Sequence, residues 1–336
     1  DGDLDWFVSN IYDAEVMSGR ESETEGNWGP TGNRLYRNDS LPADDIVLTD
    51  VTDDAGVRDG AWAWGVCFKD FNNDGWLDLF QVNGYGFADG DFQSPLFDLL
   101  DGMGMTSMLG ILDRGYESST DLLDAIYAEY SDYSHIDDLL DHEYSSESEF
   151  RAAVENLYAG AEMIRLTDSV YREFRSKPAR LFMNNQDGTF SEKATMHGIA
   201  DRNEGRGIVC NDFDRDGDID ILILNHTGAP SYYENHFRQQ GRDDDHFLNI
   251  RLQGKEGNRP AYGAKVSVTS ASLNQYREMR FENNYNSNNA PELHFGLGTD
   301  QQVTRIRVEW PDGQVSTLNN VSADQFLVIE HPSIVH

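Results

Sequence analysis

Two segments of the chain, residues 1–86 and 178–244, contain short apolar runs separated by acidic or glycine-containing turns. The runs 79–83 and 221–225 each follow an acidic loop and end in asparagine. Short apolar runs bounded by turn residues are typical of β-strands. We therefore predict a mainly β structure for both segments.

Residues 87–177 show a different pattern, in which apolar positions recur every three or four residues. This spacing is typical of amphipathic helices. The clearest helix is predicted over about 147–175, with Ser146 and Glu149 as a capping box and Pro178 as the stop signal. Its apolar stripe consists of Phe150, Val154, Leu157, Ala161, Ile164, Tyr171 and Phe174.

Two further features belong to this α-helical insertion. Thr120 is expected to cap a second helix, whose apolar residues are Leu123, Tyr127 and Tyr130. Residues 96–112 form an apolar stretch that includes three methionines. This stretch either belongs to the core of a small helical subdomain or forms a docking surface, because methionine side chains adapt to partners. Self-assembly or partner docking through residues 87–177 therefore stays open.

The pattern changes again in residues 245–336. Apolar and polar residues alternate in 247–252, 264–268 and 305–309, which predicts strands with one covered face. A turn is predicted at 311–313, where proline fixes φ and glycine supplies a positive φ. This part of the chain is expected to be an all-β, sandwich-like domain.

An acidic loop of nine residues, 212–220, lies directly before the apolar run that starts at Ile221. Its acids alternate along the chain, and glycine at its sixth position permits a sharp turn. Such a set of oxygen atoms suits Ca²⁺, which takes about six to eight oxygen ligands with tolerant geometry. Position 12 is Ile223 and a β-type run follows, so the loop is not an EF-hand. The predicted ligands are the side chains of Asp212, Asp214, Asp216 and Asp220 and the backbone carbonyl of Asp218.

The same motif occurs twice more. Residues 70–78 repeat it in full, and the chain opens on its second half, Asp1, Asp3 and Asp5. A single acidic run is usually a solvated turn, but aligned copies that each lead into a strand ending in asparagine favour a cation-binding repeat. We therefore predict two full Ca²⁺ sites and one partial site at the N-terminus. The predicted ligands of the earlier full site are Asp70, Asn72, Asp74, the carbonyl of Trp76, and Asp78.

A second sequence motif, called the second phrase, recurs with these loops, at residues 33–39, 180–185 and 232–235. Together the phrases resemble the VCBS/FG-GAP repeats of integrin-α-like β-propellers, over residues 1–86 and 178–240. Residues 205–210 further resemble the branch related to the cartilage acidic protein family. The resemblance implies a partial or complete β-propeller in which the acidic loops bind Ca²⁺ within the blades.

The C-terminal segment carries a separate resemblance. Residues 258–266, 293–298 and 308–313 are similar to the ASPIC/UnbV domain, and the likeness extends over nearly all of 245–332.

We predict four parts: propeller blades at 1–86, the α-helical insertion at 87–177, a further blade at 178–244 and the ASPIC/UnbV-like domain at 245–336. Two and a half repeats do not close a ring, since propellers need about four or more blades. Further blades before residue 1, other chains or an open array are the alternatives.

Charge narrows the classes of partner. The chain has 26 Lys and Arg against 60 Asp and Glu, a formal net charge of −34. Such an excess argues against nucleic acid and against an anionic membrane surface. It is explained by a solvated acidic surface, by carboxylates neutralised by bound cations, or by both.

The expected compartment follows from the calcium sites. No apolar run approaches the roughly 18 residues of a membrane helix, so membrane insertion is not expected. The chain begins inside a motif and shows no signal peptide. The two cysteines, Cys67 and Cys210, are predicted to be buried free thiols. We expect an extracellular or periplasmic, secreted protein, because calcium is plentiful outside the cell.

No catalytic constellation is recognised, neither a nucleophile elbow nor a phosphate loop, dinucleotide fingerprint or zinc-protease motif. His294 is interpreted as a structural strand residue and not as a base. Residues 62–64, Trp-Ala-Trp, are interpreted as blade core, although tryptophan faces also stack on sugars.

The expected function is adhesion, or binding of a protein or glycan ligand, by a non-enzymatic propeller protein with structural calcium. Two alternatives remain. One is an enzyme or enzyme subunit acting on a polysaccharide or small metabolite at the propeller mouth, and the other is an assembly component that uses the helical insertion.

Overall fold

The computed structural model describes residues 4–12, 31–40, 46–84, 116, 118–129, 148–158, 177–226, 228–240, 244–281 and 284–334. These residues belong to two compact units, Asp1–Gly84 with Ser176–His336, and Tyr85–Arg175. The predictions made for Asp1, Asp3, Tyr130, Ser146, residues 96–112 and the C-terminal part of the long helix concern residues outside the described ranges.

The N-terminal part of the first unit consists of short strands. Their bounds are β1 (Trp6–Val8), β2 (Ile11–Tyr12), β3 (Arg34–Asn38), β4 (Leu48–Asp50), β5 (Ala61–Lys69), β6 (Asp78–Asn83), β7 (Arg180–Asn184), β8 (Phe190–Glu192), β9 (Gly205–Asn211), β10 (Asp220–Asn225) and β11 (Ser231–Tyr233). They form sheets with the orders β1–β3–β4, β2–β5–β6–β7–β8 and β11–β10–β9. One helical turn, α1 (Thr52–Ala55), and the 3-10 turn Thr195–His197 lie between them, and the 3-10 turn Arg238–Gln240 follows β11.

Apolar side chains from β5, β6, β7, β9 and β10 meet in one buried cluster. Phe80, Leu181, Ile208 and Ile221 are among its members. Every residue of β6 is buried, and its apolar residues Leu79, Phe80 and Val82 lie on both faces of the sheet. Each fully buried side chain of this kind contributes about 1.5–3 kcal/mol relative to exposure. This shared core places the loops before β6 and β10 on one packed framework.

Strands β6 and β7 pair directly, although the second compact unit lies between them in sequence. Their antiparallel register brings Leu79 opposite Phe182 and Phe80 opposite Leu181. Near the ends of the connection, the side-chain amide of Asn83 donates to the carbonyl of Pro178. The helical segment is therefore inserted into the connection of a β-hairpin.

The C-terminal module, residues 245–334, is all-β in its described part. Its strands are β12 (His246–Gln253), β13 (Lys265–Thr269), β14 (Asn274–Glu278), β15 (Leu293–Gly298), β16 (Gln302–Glu309), β17 (Val315–Ser322) and β18 (Gln325–Glu330). They form two sheets, β15–β12–β18 and β14–β13–β16–β17. Side chains from both sheets share one core, to which Leu248, Phe295, Val266 and Ile306 belong. The predicted turn is present, with φ of 85° at Gly313 and its N–H donating to the Trp310 carbonyl at 2.9 Å.

An asparagine-rich loop of this module, residues 284–289, contacts two sheets of the N-terminal part. Asn284 accepts the N–H of Val66 in β5 at 2.9 Å and donates to the carbonyl of the same residue at 2.6 Å. Ser287 Oγ accepts the N–H of Ile208 in β9 at 3.0 Å. The loop thus pairs with backbone groups that point away from the neighbouring strands.

Cys67 and Cys210 are buried and form no disulfide, as predicted, and they belong to the same apolar cluster. The prediction of a mainly β chain is also confirmed, since the described residues form several sheets and few helices. None of these sheets closes into a barrel within the described ranges. The propeller stays a prediction.

The described part of the second unit consists of two helices. They are α2 (Ser119–Glu129) and α3, residues 148–158. Phe150, Val154 and Leu157 are buried, which confirms this part of the predicted apolar stripe. The helices described in the chain include none that is long and apolar enough to cross a bilayer.

The predicted cap of α2 is wrong. Ser118 Oγ accepts the N–H of Asp121 at 3.1 Å, so Ser118 is the N-cap and Thr120 lies inside the first turn. The cap side chain sits two residues earlier in the chain than expected.

Candidate metal centre

The acidic loop 212–220, called loop 2, connects the antiparallel strands β9 and β10. Two of its residues have left-handed backbone conformations, Arg215 with φ of 64° and Gly217 with φ of 97°. A side chain at the second of these positions would also collide with the ring of Phe247, whose Cε1 lies 2.2 Å from the position of a Cβ. Glycine is therefore required here by both backbone conformation and space.

Three carboxylates of loop 2 meet at one point. One carboxylate oxygen from each of Asp212, Asp214 and Asp216 lies within 4.8 Å of the others. The loop backbone orients all three, because they accept the N–H groups of Gly217 at 3.0 Å, Asp216 at 3.1 Å and Asp218 at 2.9 Å respectively.

One oxygen of this group has no partner. Asp212 is 4% exposed, and its Oδ1 is buried without a hydrogen-bond partner. The pKa of Asp212 is raised to about 6, mainly by burial and to a smaller extent by the charges of Asp216 and Asp214. A buried, unsatisfied carboxylate oxygen beside two other carboxylates is the environment that a hard cation stabilises. These residues therefore fit a bound Ca²⁺.

The carboxylates of the other two predicted ligand residues of loop 2, Asp220 and Asp218, accept hydrogen bonds, although the ligand predicted at Asp218 is its backbone carbonyl. Asp220 accepts the N–H of Phe213 at 3.0 Å and that of Asn235 at 2.8 Å. The carboxylate of Asp218 turns to the amide of Asn73 at 2.9 Å and to the N–H of Arg238 at 2.9 Å. Both carboxylates tie the loop to its surroundings and lie outside the three-carboxylate group.

Loop 1, residues 70–78, repeats these backbone contacts between β5 and β6. Asp70 accepts the N–H groups of Asp74 at 3.1 Å and Gly75 at 2.8 Å, while Asp78 accepts that of Phe71 at 3.0 Å. Burial raises the pKa of Asp70 to about 8 and that of Asp78 to about 7. The two loops are thus built in the same way.

The acidic candidate metal ligands are fewer in loop 1 than in loop 2. Its third position is Asn72, whose side-chain amide donates to Asp74 Oδ2 at 3.0 Å. Among the described residues, only loop 2 groups three acidic side chains closely enough to share a cation. Trp76, whose carbonyl was the predicted seventh-position ligand, has a side chain that is 43% exposed.

One contact recurs in all three copies of the motif. The last acid of each copy accepts a backbone N–H from the asparagine of the recurring second phrase, always at 2.8 Å. The pairs are Asp5 with Asn38, Asp78 with Asn184, and Asp220 with Asn235. In the two complete copies, the asparagine side chain also donates to the residue before the acid, at 3.1 Å to Leu77 and 3.2 Å to Ile219.

This role of the asparagines was missed by the sequence analysis. Their signal was present, since Asn38, Asn184 and Asn235 each lie at or next to the end of a recurring segment. The contact defines the third copy as well, where Asp5 occupies the same place as the last acid of loops 1 and 2.

Two side chains considered as candidates for chemistry are structural. His294 is buried, and burial lowers its pKa to about 3, so its ring is neutral. Trp64 packs against the shared core and donates its indole N–H to the Gly84 carbonyl at 2.8 Å. The guanidinium of Arg206 lies 4.4 Å from the centre of its ring.

Comparison with known proteins adds a family for the C-terminal module. Residues 254–335 match the family model described as ASPIC and UnbV. This match confirms the resemblance to the ASPIC/UnbV domain, which was based on residues 258–266, 293–298 and 308–313.

Parts of the chain are similar to Cartilage acidic protein 1, which confirms the resemblance to the cartilage acidic protein family. The chain is 34% identical to the Homo sapiens protein over 130 residues, 38% of this chain and 19% of that protein. It is 27% identical to the Xenopus tropicalis protein over 278 residues, 81% of this chain and 37% of that protein. The matched region thus spans between about a fifth and two fifths of the length of these relatives.

Proposed function

We propose that the chain is a non-enzymatic, calcium-binding protein whose acidic loops each hold one structural Ca²⁺ in a propeller-type repeat. The observation that carries this proposal is the group formed by Asp212, Asp214 and Asp216, with the buried, unpartnered Oδ1 of Asp212. Calcium is favoured over magnesium because the loop offers several carboxylates and no rigid octahedral cage.

The role of the ion in this proposal is to stabilise the fold. A bound cation neutralises the repulsion among the three carboxylates, and its binding free energy adds to the free energy of folding. The residues themselves fix the loop: Gly217 allows the turn, and Asp220 joins it to Asn235. Loop 1 is proposed as the second site, with Asp70, Asn72 and Asp74 in the equivalent positions.

The place of action is proposed to be outside the cytoplasm. Relatives named for cartilage, a net charge of −34 and loops suited to a plentiful cation support this location. Adhesion, or binding of a protein or glycan in a matrix, is the proposed biological role. It rests on similarity to these relatives.

Calorimetric titration of the metal-free chain with Ca²⁺ tests the proposal. We expect two equivalents per chain and a higher melting temperature when Ca²⁺ is added. Asp216→Ala should lose one equivalent, whereas the exposed Glu256→Gln, which removes the same amount of charge, should keep both. No calcium uptake by the wild-type chain, together with an identical melting temperature in EGTA, would overturn the proposal.

A further inference from the structure

The C-terminal module lies directly against loop 1. Gly298 of β15 donates its N–H to the carbonyl of Asn73 at 2.8 Å. A Cβ on Gly296 would lie 2.1 Å from Asp70 Oδ2 and 2.5 Å from the Cα of Asn73. Glycine in the middle of β15 therefore makes room for the loop, because any side chain there would push the two apart.

Asn73 joins three parts of the molecule through one side chain. Its Nδ2 donates to Asp218 Oδ1 at 2.9 Å and to the Gly217 carbonyl at 3.1 Å, both in loop 2. Its Oδ1 lies 2.7 Å from Nε2 of His294 in β15. Since the ring is neutral and the amide oxygen is an acceptor, His294 donates the Nε2–H in this contact.

The conformation of Asn73 depends on the loop. It is the fourth residue of loop 1, it is 1% exposed, and its φ is 56°. Such a left-handed conformation is tolerated by asparagine and disfavoured for most other residues. The side chain therefore reaches Asp218 and His294 only while loop 1 keeps its turn.

Loop 2 contacts the same module through two further groups. The ring of Phe247 in β12 packs where a side chain of Gly217 would stand. Arg238 donates to the carbonyl of Asp216 at 2.9 Å and to Asp324 Oδ1 at 3.1 Å. One of the three clustered acids of loop 2 is thus connected by its backbone to the C-terminal module.

We infer that the C-terminal module and the cation sites are thermodynamically coupled, with Asn73 and His294 as positioning residues at the junction. The inference rests on the proposed calcium binding. A cation that fixes the loop turns also fixes the surface on which β12 and β15 rest. By linkage, docking of the module must in turn raise the calcium affinity of the loops by the same factor.

His294 has a positioning role in this coupling, although its side chain touches no predicted metal ligand. His294 contacts Asn73, which lies between Asn72 and Asp74 in loop 1. Removal of its N–H leaves Asn73 Oδ1 buried without a donor. The loop conformation that binds the cation is then less populated. The apparent calcium affinity decreases in proportion to the population of that conformation.

The test is calcium titration of the full chain in three variants. His294→Ala should weaken calcium binding by about 5-fold to 150-fold, the usual range of coupling between sites. His294→Gln, which keeps a side-chain N–H donor, should restore part of the affinity. Val308→Ala is the control, because it removes buried side-chain volume from β16 in the other sheet of the module. It should lower the melting temperature of the module and, as long as the module stays folded and docked, leave the calcium affinity unchanged.

Hydrogen exchange of the wild-type chain gives a measurement that needs no variant. Added Ca²⁺ should slow amide exchange in β15, above all at Gly298, by a larger factor than in β13 and β16. The coupling is refuted if His294→Ala binds calcium as well as the wild-type chain does and the exchange rates in β15 do not change when calcium is added. The proposed function stands in that case, because the wild-type chain still binds calcium. If the wild-type chain binds no calcium, the proposed function itself fails and the coupling with it.

Discussion

The backbone N–H of Asn184 donates to Oδ1 of Asp78 at 2.8 Å, although 106 residues separate the two along the chain. Asn235 and Asp220 form the same bond across 15 residues, and Asn38 and Asp5 form it across 33. The length of the connection between the paired strands therefore does not affect the contact. Loop 1 is closed in the same way as loop 2 despite the insertion.

Removal of the insertion should leave loop 1 intact. We predict that replacing residues 85–175 by a short glycine-serine linker preserves the calcium stoichiometry, because β6 and β7 pair directly and Asn83 contacts Pro178. Titration calorimetry on the deletion variant and the full chain makes the comparison. Loss of one calcium equivalent from the deletion variant would contradict this independence.

The side chain of Asn235 should stabilise both loops. Its Nδ2 donates to the carbonyl of Phe71 in loop 1 at 2.9 Å and to that of Ile219 in loop 2 at 3.2 Å. Asn235→Ala should lower the free energy of unfolding by about 1–3 kcal/mol, the loss of two such hydrogen bonds. Urea denaturation measures the change. The exposed strand residue Asn319 is the matched position, and equal losses for the two alanine variants would disprove the role of Asn235.

Alanine substitutions at two glycines allow the cost of backbone strain to be measured separately from the cost of overpacking. Gly217 and Gly188 have similar φ values, 97° and 87°, but a Cβ meets Phe247 only at the first and finds nothing within 4 Å at the second. Gly188→Ala should cost about 1–2 kcal/mol of stability for its conformation alone. Gly217→Ala should cost about 1–3 kcal/mol more, as overpacking does. Equal unfolding midpoints for the two variants would show that the loop does not pack on Phe247.

Asp212→Asn should have opposite effects with and without calcium. In EGTA the variant should melt at a higher temperature than the wild type, because it removes one charge from a repelling, partly buried cluster. In calcium it should melt lower, because the cation loses a ligand. Differential scanning calorimetry measures the melting temperatures in both buffers, with Glu256→Gln as the charge-matched control. An undiminished calcium-induced increase in the variant would exclude Asp212 as a ligand.

The features that sequence analysis predicted correctly are local ones. The apolar run of β10, the glycine turn in loop 2 and the stripe from Phe150 to Leu157 each depend on residues a few positions apart. Pattern and backbone preference determine such elements directly. The Ser118 cap shows the limit even there, because serine and threonine both serve as N-caps and periodicity does not distinguish between nearby positions.

The features that were missed join residues distant in sequence. The bond between Asp78 and Asn184 depends on how two strands pair, and the contact of His294 with Asn73 depends on how one module packs on another. Neither leaves a periodic signal. Asn184 was noticed as part of a recurring segment and His294 as a structural histidine, but the partner of each residue is determined by tertiary structure alone.

The asparagine-rich loop has a consequence for behaviour in concentrated solution. Unpaired N–H and C=O groups along a strand edge are a template on which another polypeptide adds a strand. Asn284 and Ser287 occupy such groups on Val66 and Ile208 with side chains, which extend no further ladder. We therefore expect the C-terminal module to hinder the addition of a strand at these positions, and its detachment to promote aggregation.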